Sequence, residues 1–409
     1  MKDRIINRLN NHYYKYLHKE KYRNLLNNFL FRFWKIVFSV FRLLPIKKNN
    51  ILFVAANDKN IPPEYESLNS FAKNKGYKTD FIFRFNSSSR VIYKNEWNKI
   101  KSDLKFQRLY ARAKCTFVCD YYLPAYANNP RKNTKLIQIW HGCGAFKKWG
   151  YSTRDSSWGL KSEFFDKYNI HKTYSLITTS SEDIKDIYAE AFGSPIEKVK
   201  ALGVPRTDIF FDKEFVSSQK DILLKKIPQL KNKKLVLYAP TYRGDSIKAS
   251  RNDLMIDFTK LKKAIGDEYA ILVKLHPHLS KGFSVKELPQ DVQGFVYDIS
   301  NEFSISSALC FAEMVISDYS SLIFEYALFE KPMVFFAYDL ENYDSDRSFY
   351  YNYEEFVPGR IVKTTEDLAK AILDAETDFN KEQLITFKNK FMSACDGNST
   401  KRVFEEAIR

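Results

Sequence analysis

From Ile51 onward, short apolar runs of strand length alternate with helix-length segments, and the alternation starts twice. Ile51–Ala56, Thr79–Phe85, Cys115–Asp120, Lys135–Trp140, Ser175–Ser180 and Val199–Leu202 read as strands, with helices over Glu64–Lys75, Asn95–Ala113 and Glu182–Phe192. Residues 211–233 are polar and Lys-rich and read as a linker. The rhythm then restarts with strands at Leu235–Ala239, Ala270–Leu275, Phe295–Asp298, Met314–Ser317 and Met333–Ala337. The accompanying helices are expected near Asp257–Ile265, Ser321–Phe329, Glu366–Asp374 and Lys381–Ala394, with a short one closing the chain. This is the βαβ pattern of an α/β chain with two Rossmann-like domains, residues 51–210 and 234–409. A length of 409 residues suits two domains of ordinary size.

Two of the apolar runs end in histidine: Ile139-Trp140-His141-Gly142 and Lys274-Leu275-His276-Pro277. The carboxyl ends of parallel strands open onto the ligand crevice of such sheets. A titratable ring there, followed by Gly or Pro, is better placed for chemistry than for packing. One histidine in each half predicts two domains facing across a cleft, the GT-B arrangement.

Ahead of the alternation lies a different segment. Residues 1–50 carry twelve Lys/Arg against Asp3 and Glu20, a net +10 of the chain's +16. Within Tyr22–Leu44 the polar residues Asn28, Arg32, Lys35, Ser39 and Arg42 recur at steps of four and three, one stripe of a helix that Pro45 ends. Apart from Arg23, Asn24 and Asn27 near its start, the rest is apolar. The three cations of the stripe make spanning a bilayer costly, at about 2.5–3.5 kcal/mol each near its centre. The same cations favour a helix lying in the interface of an anionic membrane. Packing on the chain's own domain is the alternative. The aromatics merge into a solid apolar face instead of interleaving with cations, which argues against nucleic acid. The five cysteines form no Cys-x-x-Cys pair, so neither a disulfide framework nor a zinc knuckle is expected, and a reducing compartment suits them. No cleavable signal peptide is read at the start.

Five clusters stand at expected strand-to-helix turns. In Trp140-His141-Gly142-Cys143-Gly144-Ala145-Phe146-Lys147-Lys148, two glycines allow backbone N–H groups to approach an anion and His141 is placed as a general base; a plain tight turn is an equal reading. In Gly203-Val204-Pro205-Arg206-Thr207-Asp208, Arg206 projects from a rigid turn towards a phosphate, or is an ordinary loop arginine. Tyr238-Ala239-Pro240-Thr241-Tyr242-Arg243 offers a weak second anion contact. Lys274 and His276 share one strand face and suit a pyrophosphate, whereas His278 lies past the proline in a loop. In Ser317-Asp318-Tyr319-Ser320-Ser321-Leu322-Ile323-Phe324-Glu325, the two serines open a helix whose N-terminus favours phosphate, with Glu325 one turn on, near ribose hydroxyls. Ordinary capping is the bland reading of the same residues.

Taken in order, Trp-His-Gly, Gly-x-Pro-Arg-x-Asp, Ala-Pro-Thr-x-Arg, His-Pro and Ser-Asp-Tyr-Ser-Ser over roughly residues 135–375 resemble the CDP-glycerol glycerophosphotransferase family, the teichoic-acid primases and polymerases. Asp339-Leu340-Glu341-Asn342-Tyr343, followed by Arg347 and Tyr350, looks like the family's late motif. The resemblance implies a metal-independent GT-B enzyme without a cofactor and with a membrane-associated acceptor. It implies a donor site lined by Trp140, Gly142, Cys143, Gly144, Arg206, Pro240, Thr241, Arg243, Lys274, Leu275, Ser320, Ser321, Glu325 and Arg347, with His141 and His276 catalytic. The chain departs from the frequent Trp-His-Gly-Thr-Pro-Leu-Lys form. Its Gly144-Ala145-Phe146-Lys147-Lys148 is closer to ribitol-phosphate members.

The expected reaction is transfer of a polyol phosphate from a CDP-polyol to a hydroxyl of a lipid-linked or polymeric polyol or glycan acceptor, with release of CMP, in teichoic-acid or capsule synthesis. The expected place is the cytoplasmic face of the membrane, peripherally bound. Two rivals stand beside it: a nucleotide-sugar glycosyltransferase on the same fold, and a non-catalytic protein of the membrane surface.

Overall fold

The computed structural model describes residues 20–55, 57–83, 92–156, 159–241, 254–275, 284–341, 348–375 and 377–409. The chain forms two compact units. The first holds the chain up to His141, then Trp149–Arg206 and Asn398–Arg409; the second holds Gly142–Lys148 and Thr207–Gly397. The backbone thus leaves the first unit directly after His141 and returns at Trp149.

In the first unit, helix α1 (Glu20–Phe41) precedes β1 (Lys47–Ala55), α2 (Pro63–Asn74), β2 (Lys78–Phe83), α3 (Ile92–Tyr110), β3 (Ala113–Val118) and β4 (Lys135–Gln138). Helix α4 (Ser162–Lys167), β5 (Leu176–Thr179), α5 (Lys185–Ala191) and β6 (Val199–Ala201) follow. The six strands are parallel in the order β2-β1-β3-β4-β5-β6. Ile51 to Ala55 are all buried, because helices cover both faces of a parallel sheet; this is why the strand reads as a continuous apolar run.

The second unit contains α6 (Lys213–Lys226), β7 (Lys234–Tyr238), α7 (Phe258–Ile265), β8 (Tyr269–Val273), β9 (Val296–Asp298) and α8 (Ile305–Phe311). It continues with β10 (Met314–Ser317), α9 (Leu322–Ala327), β11 (Met333–Phe336), β12 (Arg360–Val362), α10 (Thr365–Asp374) and α11 (Lys381–Met392). Its order is β12-β11-β10-β7-β8-β9, again parallel. The last helix, α12 (Ser399–Ile408), packs in the first unit, where Phe404 meets Phe71 and Tyr77 edge-on.

The two sheets reverse direction at different places. Strand order turns between β1 and β3 in the first and between β7 and β10 in the second, the positions where open α/β sheets hold ligands.

The stretch expected as a linker holds helix α6 instead. Asp212 caps it, accepting from the N–H groups of Glu214 and Phe215, and Gln219 and Leu223 are buried. Helix α1 packs on the first unit through Leu30, Phe31, Trp34 and Phe38, all buried. Phe38 meets Tyr110 and Phe31 meets Tyr168. The helix ends at Phe41, three residues before the last residue preceding Pro45, and Arg131 donates to the carbonyl of Leu44 at 2.7 Å. Its outer side leaves Leu25, Phe29, Ile36 and Val40 more than half exposed, as is Leu43 just past its end. Among the described residues, no helix is long and apolar enough to cross a membrane.

Candidate active site

In the first unit the site builds around the end of β4. Trp140 has φ of +55°, a left-handed conformation that costs a non-glycine residue about 1–3 kcal/mol. Three contacts hold it there. Its N–H donates to Oε1 of the buried Gln138 at 2.8 Å, its ring stacks on Trp149 at 5.8 Å, and Phe192 meets it edge-on at 5.3 Å. The sharp turn throws His141 out of the sheet onto the surface, its ring 4.1 Å from that of Trp140.

The His141 ring is oriented from the neighbouring strand. Its Nδ1 lies 3.1 Å from the carbonyl oxygen of Cys119, just past β3. A carbonyl only accepts, so Nδ1 carries the proton and Nε2 is the basic nitrogen. From the other side, Arg206 donates to the His141 carbonyl at 2.6 Å and pairs with Glu64 at 2.6 Å. Both partners of that pair are largely hidden, with 13% and 12% of their side chains exposed. Glu64 opens α2, after β1, so β1, β3 and β4 all feed one cluster at the reversal point of the sheet. Nearby, Asn57 donates to the carboxylate of Asp120. Arg206, expected to project towards a phosphate, is thus tied within the cluster.

Beyond His141 the loop packs in the second unit. Phe146 is buried against Phe349 and Phe356, and its carbonyl accepts from the N–H of Tyr350 at 3.0 Å. Cys143 is buried. Gly144 has φ of +63°, and a Cβ there would stand 2.3 Å from the ring of Phe324. The second glycine of the motif is therefore required by packing.

At the reversal point of the second sheet, the loops after β7 and β10 are bonded together. The buried Asp318 carboxylate accepts from Thr241 N–H at 2.9 Å, from Thr241 Oγ1 at 2.7 Å and from Tyr319 N–H at 2.6 Å. Its own carbonyl accepts from the hydroxyl of Tyr353 at 2.9 Å, while the Tyr319 hydroxyl reaches Asp339. Pro240, Thr241 and Ser320 stay half-exposed and Ser321 exposed around this knot. Helix α9 is only six residues long, and the Ser321 side chain makes no capping bond. Glu325 is buried, with 5% exposure, instead of standing open to a ligand.

After β8, Lys274 donates from Nζ to the Ser300 carbonyl at 2.6 Å, and the buried Leu275 donates its N–H to Ser300 Oγ at 2.8 Å. Burial pulls the Lys274 ammonium below the ordinary lysine value, opposed by Asp298. His276, Arg243 and Arg347 lie outside the described residues.

Sequence reasoning did not single out Glu64, Cys119, Asp318 or Phe324. Asp318 alone carried a signal, an acid directly after a buried strand inside a motif already noticed. The others act through a backbone carbonyl, an ion pair or a packed ring, none of which leaves a pattern along the chain.

The family model described as CDP-Glycerol:Poly(glycerophosphate) glycerophosphotransferase matches residues 36–408. The chain belongs to this family. It is 36% identical over 384 residues to the teichoic acid poly(ribitol-phosphate) polymerase of Bacillus spizizenii, covering 94% of this chain but 59% of that relative's length. It is 29% identical to the teichoic acid glycerol-phosphate primase of Bacillus subtilis, over 94% of this chain and 97% of the relative. The solved structure of the wall teichoic acid polymerase TagF superposes with a TM-score of 0.73 at 22% identity, over 95% of this chain and 96% of that one. At that identity the likeness carries the fold.

Proposed function

We propose that this chain transfers a polyol phosphate from a CDP-polyol to an acceptor hydroxyl and releases CMP. The observation that carries the reading is the His141 ring, exposed at a strand end with Nδ1 committed to the Cys119 carbonyl. An imidazole tethered through Nδ1 leaves Nε2 as the nitrogen that takes a hydroxyl proton as general base. As Nε2 accepts that proton, the acceptor oxygen bonds to the phosphorus bearing the polyol. The bond from that phosphorus to the bridging oxygen breaks in line, and the electron pair leaves with CMP. Positioning and electrostatics do the work of such a transfer.

The donor's phosphates are assigned to Lys274, His276, Thr241 and the polar edge at Ser320 and Ser321, with Pro240, Leu275, Arg243 and Arg347 lining the site. Trp140, Gly142, Cys143 and Gly144 shape the turn that carries the base. Arg206 orients His141 through its carbonyl. Glu325, being buried, acts on the donor only by supporting the loop in front of it.

Ribitol is the favoured polyol. The poly(ribitol-phosphate) polymerase is 36% identical to this chain over the aligned residues, against 29% for the glycerol-phosphate primase, and the Gly144-Ala145-Phe146-Lys147-Lys148 form points the same way. The acceptor is lipid-linked or polymeric, and α1 lies on an anionic membrane at the cytoplasmic face. Its exposed Leu25, Phe29, Ile36 and Val40 stand among the exposed Arg32, Lys35 and Arg42, the mixture an interfacial helix needs.

Separate incubation with CDP-ribitol and CDP-glycerol tests the reading. Release of CMP with a new phosphodiester supports it. A glycoside with a nucleoside diphosphate supports the glycosyltransferase instead.

A further inference from the structure

The first unit holds a cavity of about 540 Å³ that the proposed chemistry at His141 does not use. Ligand pockets commonly fall between about 300 and 1,000 Å³. Asn24 and Asn27 of α1 form one wall, three residues apart and so on one helix face. Tyr121, Lys161, Phe164 and Lys167 complete much of the lining. The buried Tyr168 makes the floor, anchored to α1 by a bond from its hydroxyl to Asn28 Oδ1 at 2.8 Å.

The lining has a distinct chemistry. Two carboxamides donate and accept, as a polyhydroxylated ligand requires. Aromatic rings offer flat apolar faces. Burial raises the Tyr121 phenol above its ordinary value, so it stays a donor at neutral pH. Lys161 and Lys167 are exposed on the rim and outnumber the single carboxylate, Glu163. Such a pocket favours a hydroxyl-rich molecule that carries negative charge.

Its position is equally specific. Tyr121 lies two residues beyond Cys119, whose carbonyl holds the His141 ring, so one turn after β3 serves both places. Outside the lining, Leu25 and Phe29 of α1 are 66% and 65% exposed. The cavity thus runs alongside a helix whose outer side mixes apolar and cationic residues and reaches back to the turn that orients the base.

We propose that this cavity seats the acceptor: a hydroxyl-rich, phosphate-bearing headgroup held by Asn24, Asn27 and Tyr121, with Lys161 and Lys167 on its phosphate. The proposal rests on the polyol-phosphate transfer reading, because that reaction requires an acceptor of this chemistry near His141. A free oligomer and a lipid-borne one share it.

The test is equilibrium binding by calorimetry to the full chain. The probes are tri(ribitol phosphate), the same oligomer on a short alkyl chain, and CDP-ribitol. The double charge reversal Lys161→Glu with Lys167→Glu is expected to weaken the oligomer by about tenfold or more, the scale of lost charge-assisted bonds. The CDP-ribitol affinity and the thermal midpoint are expected to stay at their wild-type values. Weakening of both oligomers assigns the pocket to the headgroup itself; weakening of the alkylated form alone assigns it to a lipid-borne acceptor. Asn27→Ala and Tyr121→Phe repeat the measurement if the double variant unfolds. No oligomer binding by wild type, unchanged binding by the variants, or a parallel loss of CDP-ribitol affinity overturns the proposal. Turnover of CDP-ribitol by wild type with an unmoved oligomer affinity sinks the pocket alone. Absence of CMP release from any CDP-polyol sinks the transfer reading, and the binding measurement then judges the pocket separately.

Discussion

The Nδ1 of His141 and the carbonyl oxygen of Cys119 lie 3.1 Å apart, so the neighbouring strand fixes both the orientation and the tautomer of the exposed ring. A backbone acceptor cannot be removed by mutating Cys119, whose own buried thiol is pushed up to about 12. The arrangement is held instead from the other side, where the Arg206 guanidinium joins Glu64 to the His141 carbonyl.

Arg206→Ala is therefore expected to act twice. It leaves Glu64 unpaired in a largely hidden place, where breaking such a pair costs about 3–5 kcal/mol, and it frees the His141 backbone. Thermal unfolding should show the lost stability and CMP release a lowered turnover. Glu64→Gln should produce the same two losses in milder form. Full turnover in both variants would confine the cluster to a structural role.

Gly144→Ala is expected to destabilise the second unit by a few kcal/mol. A positive φ costs an L-residue about 1–2 kcal/mol, and the new methyl would press on the Phe324 ring, with overpacking adding about 1–3 kcal/mol. Adding Phe324→Ala removes the clash but not the backbone cost. The denaturant-unfolding cycle should consequently be non-additive, with the double variant less damaged than the two single losses predict together.

Deleting α1 would strip Leu30, Phe31, Trp34 and Phe38 from a packed interface and confuse unfolding with release. Phe29→Glu with Ile36→Glu changes only the exposed side. Co-sedimentation with anionic vesicles should fall sharply while the thermal midpoint holds. Undiminished binding would move the membrane contact elsewhere.

His171 gives a pH dependence with a definite sign. It is buried among Tyr126, Tyr174 and Phe192, and burial drags it down to about 3. Below about pH 6.5 the unfolded chain takes up a proton that the folded ring refuses, so stability is full above that pH and is lost as pH falls towards 3, by at most about 1.4 kcal/mol per pH unit. His171→Asn suits the local φ of +63° and does not titrate. Urea midpoints from pH 7 to 4.5 should fall more steeply for wild type than for the variant; parallel slopes would contradict the assignment.

The strands were legible because a parallel sheet buries both faces, so Ile51–Ala55 of β1, Leu235–Tyr238 of β7 and Tyr269–Val273 of β8 are continuous apolar runs along the chain. Most helices were legible from their period. Helix α6 was not, because its many lysines mask two buried positions and an Asp212 cap. Strand β12 was missed because Arg360-Ile361-Val362, between Gly359 and Lys363, holds only two apolar residues in a row. At the site, the His141 turn was readable from Trp-His-Gly following a strand. Its support was not: the Cys119 carbonyl, the Glu64 partner and the Phe324 ring are set by register and packing between distant segments. The same applies to Glu325, where one helical turn past a serine pair suggested an open carboxylate and the short α9 buries it.

The decisive measurement is CMP release from CDP-ribitol and CDP-glycerol by His141→Ala beside wild type, with an oligomeric polyol-phosphate acceptor and unfolding curves for both proteins. A general base contributes about 10²–10⁴-fold. A fall of that size, with unchanged unfolding and a new phosphodiester formed by wild type, is expected. Equal CMP release by a folded His141→Ala protein would contradict the assignment of His141 as the base.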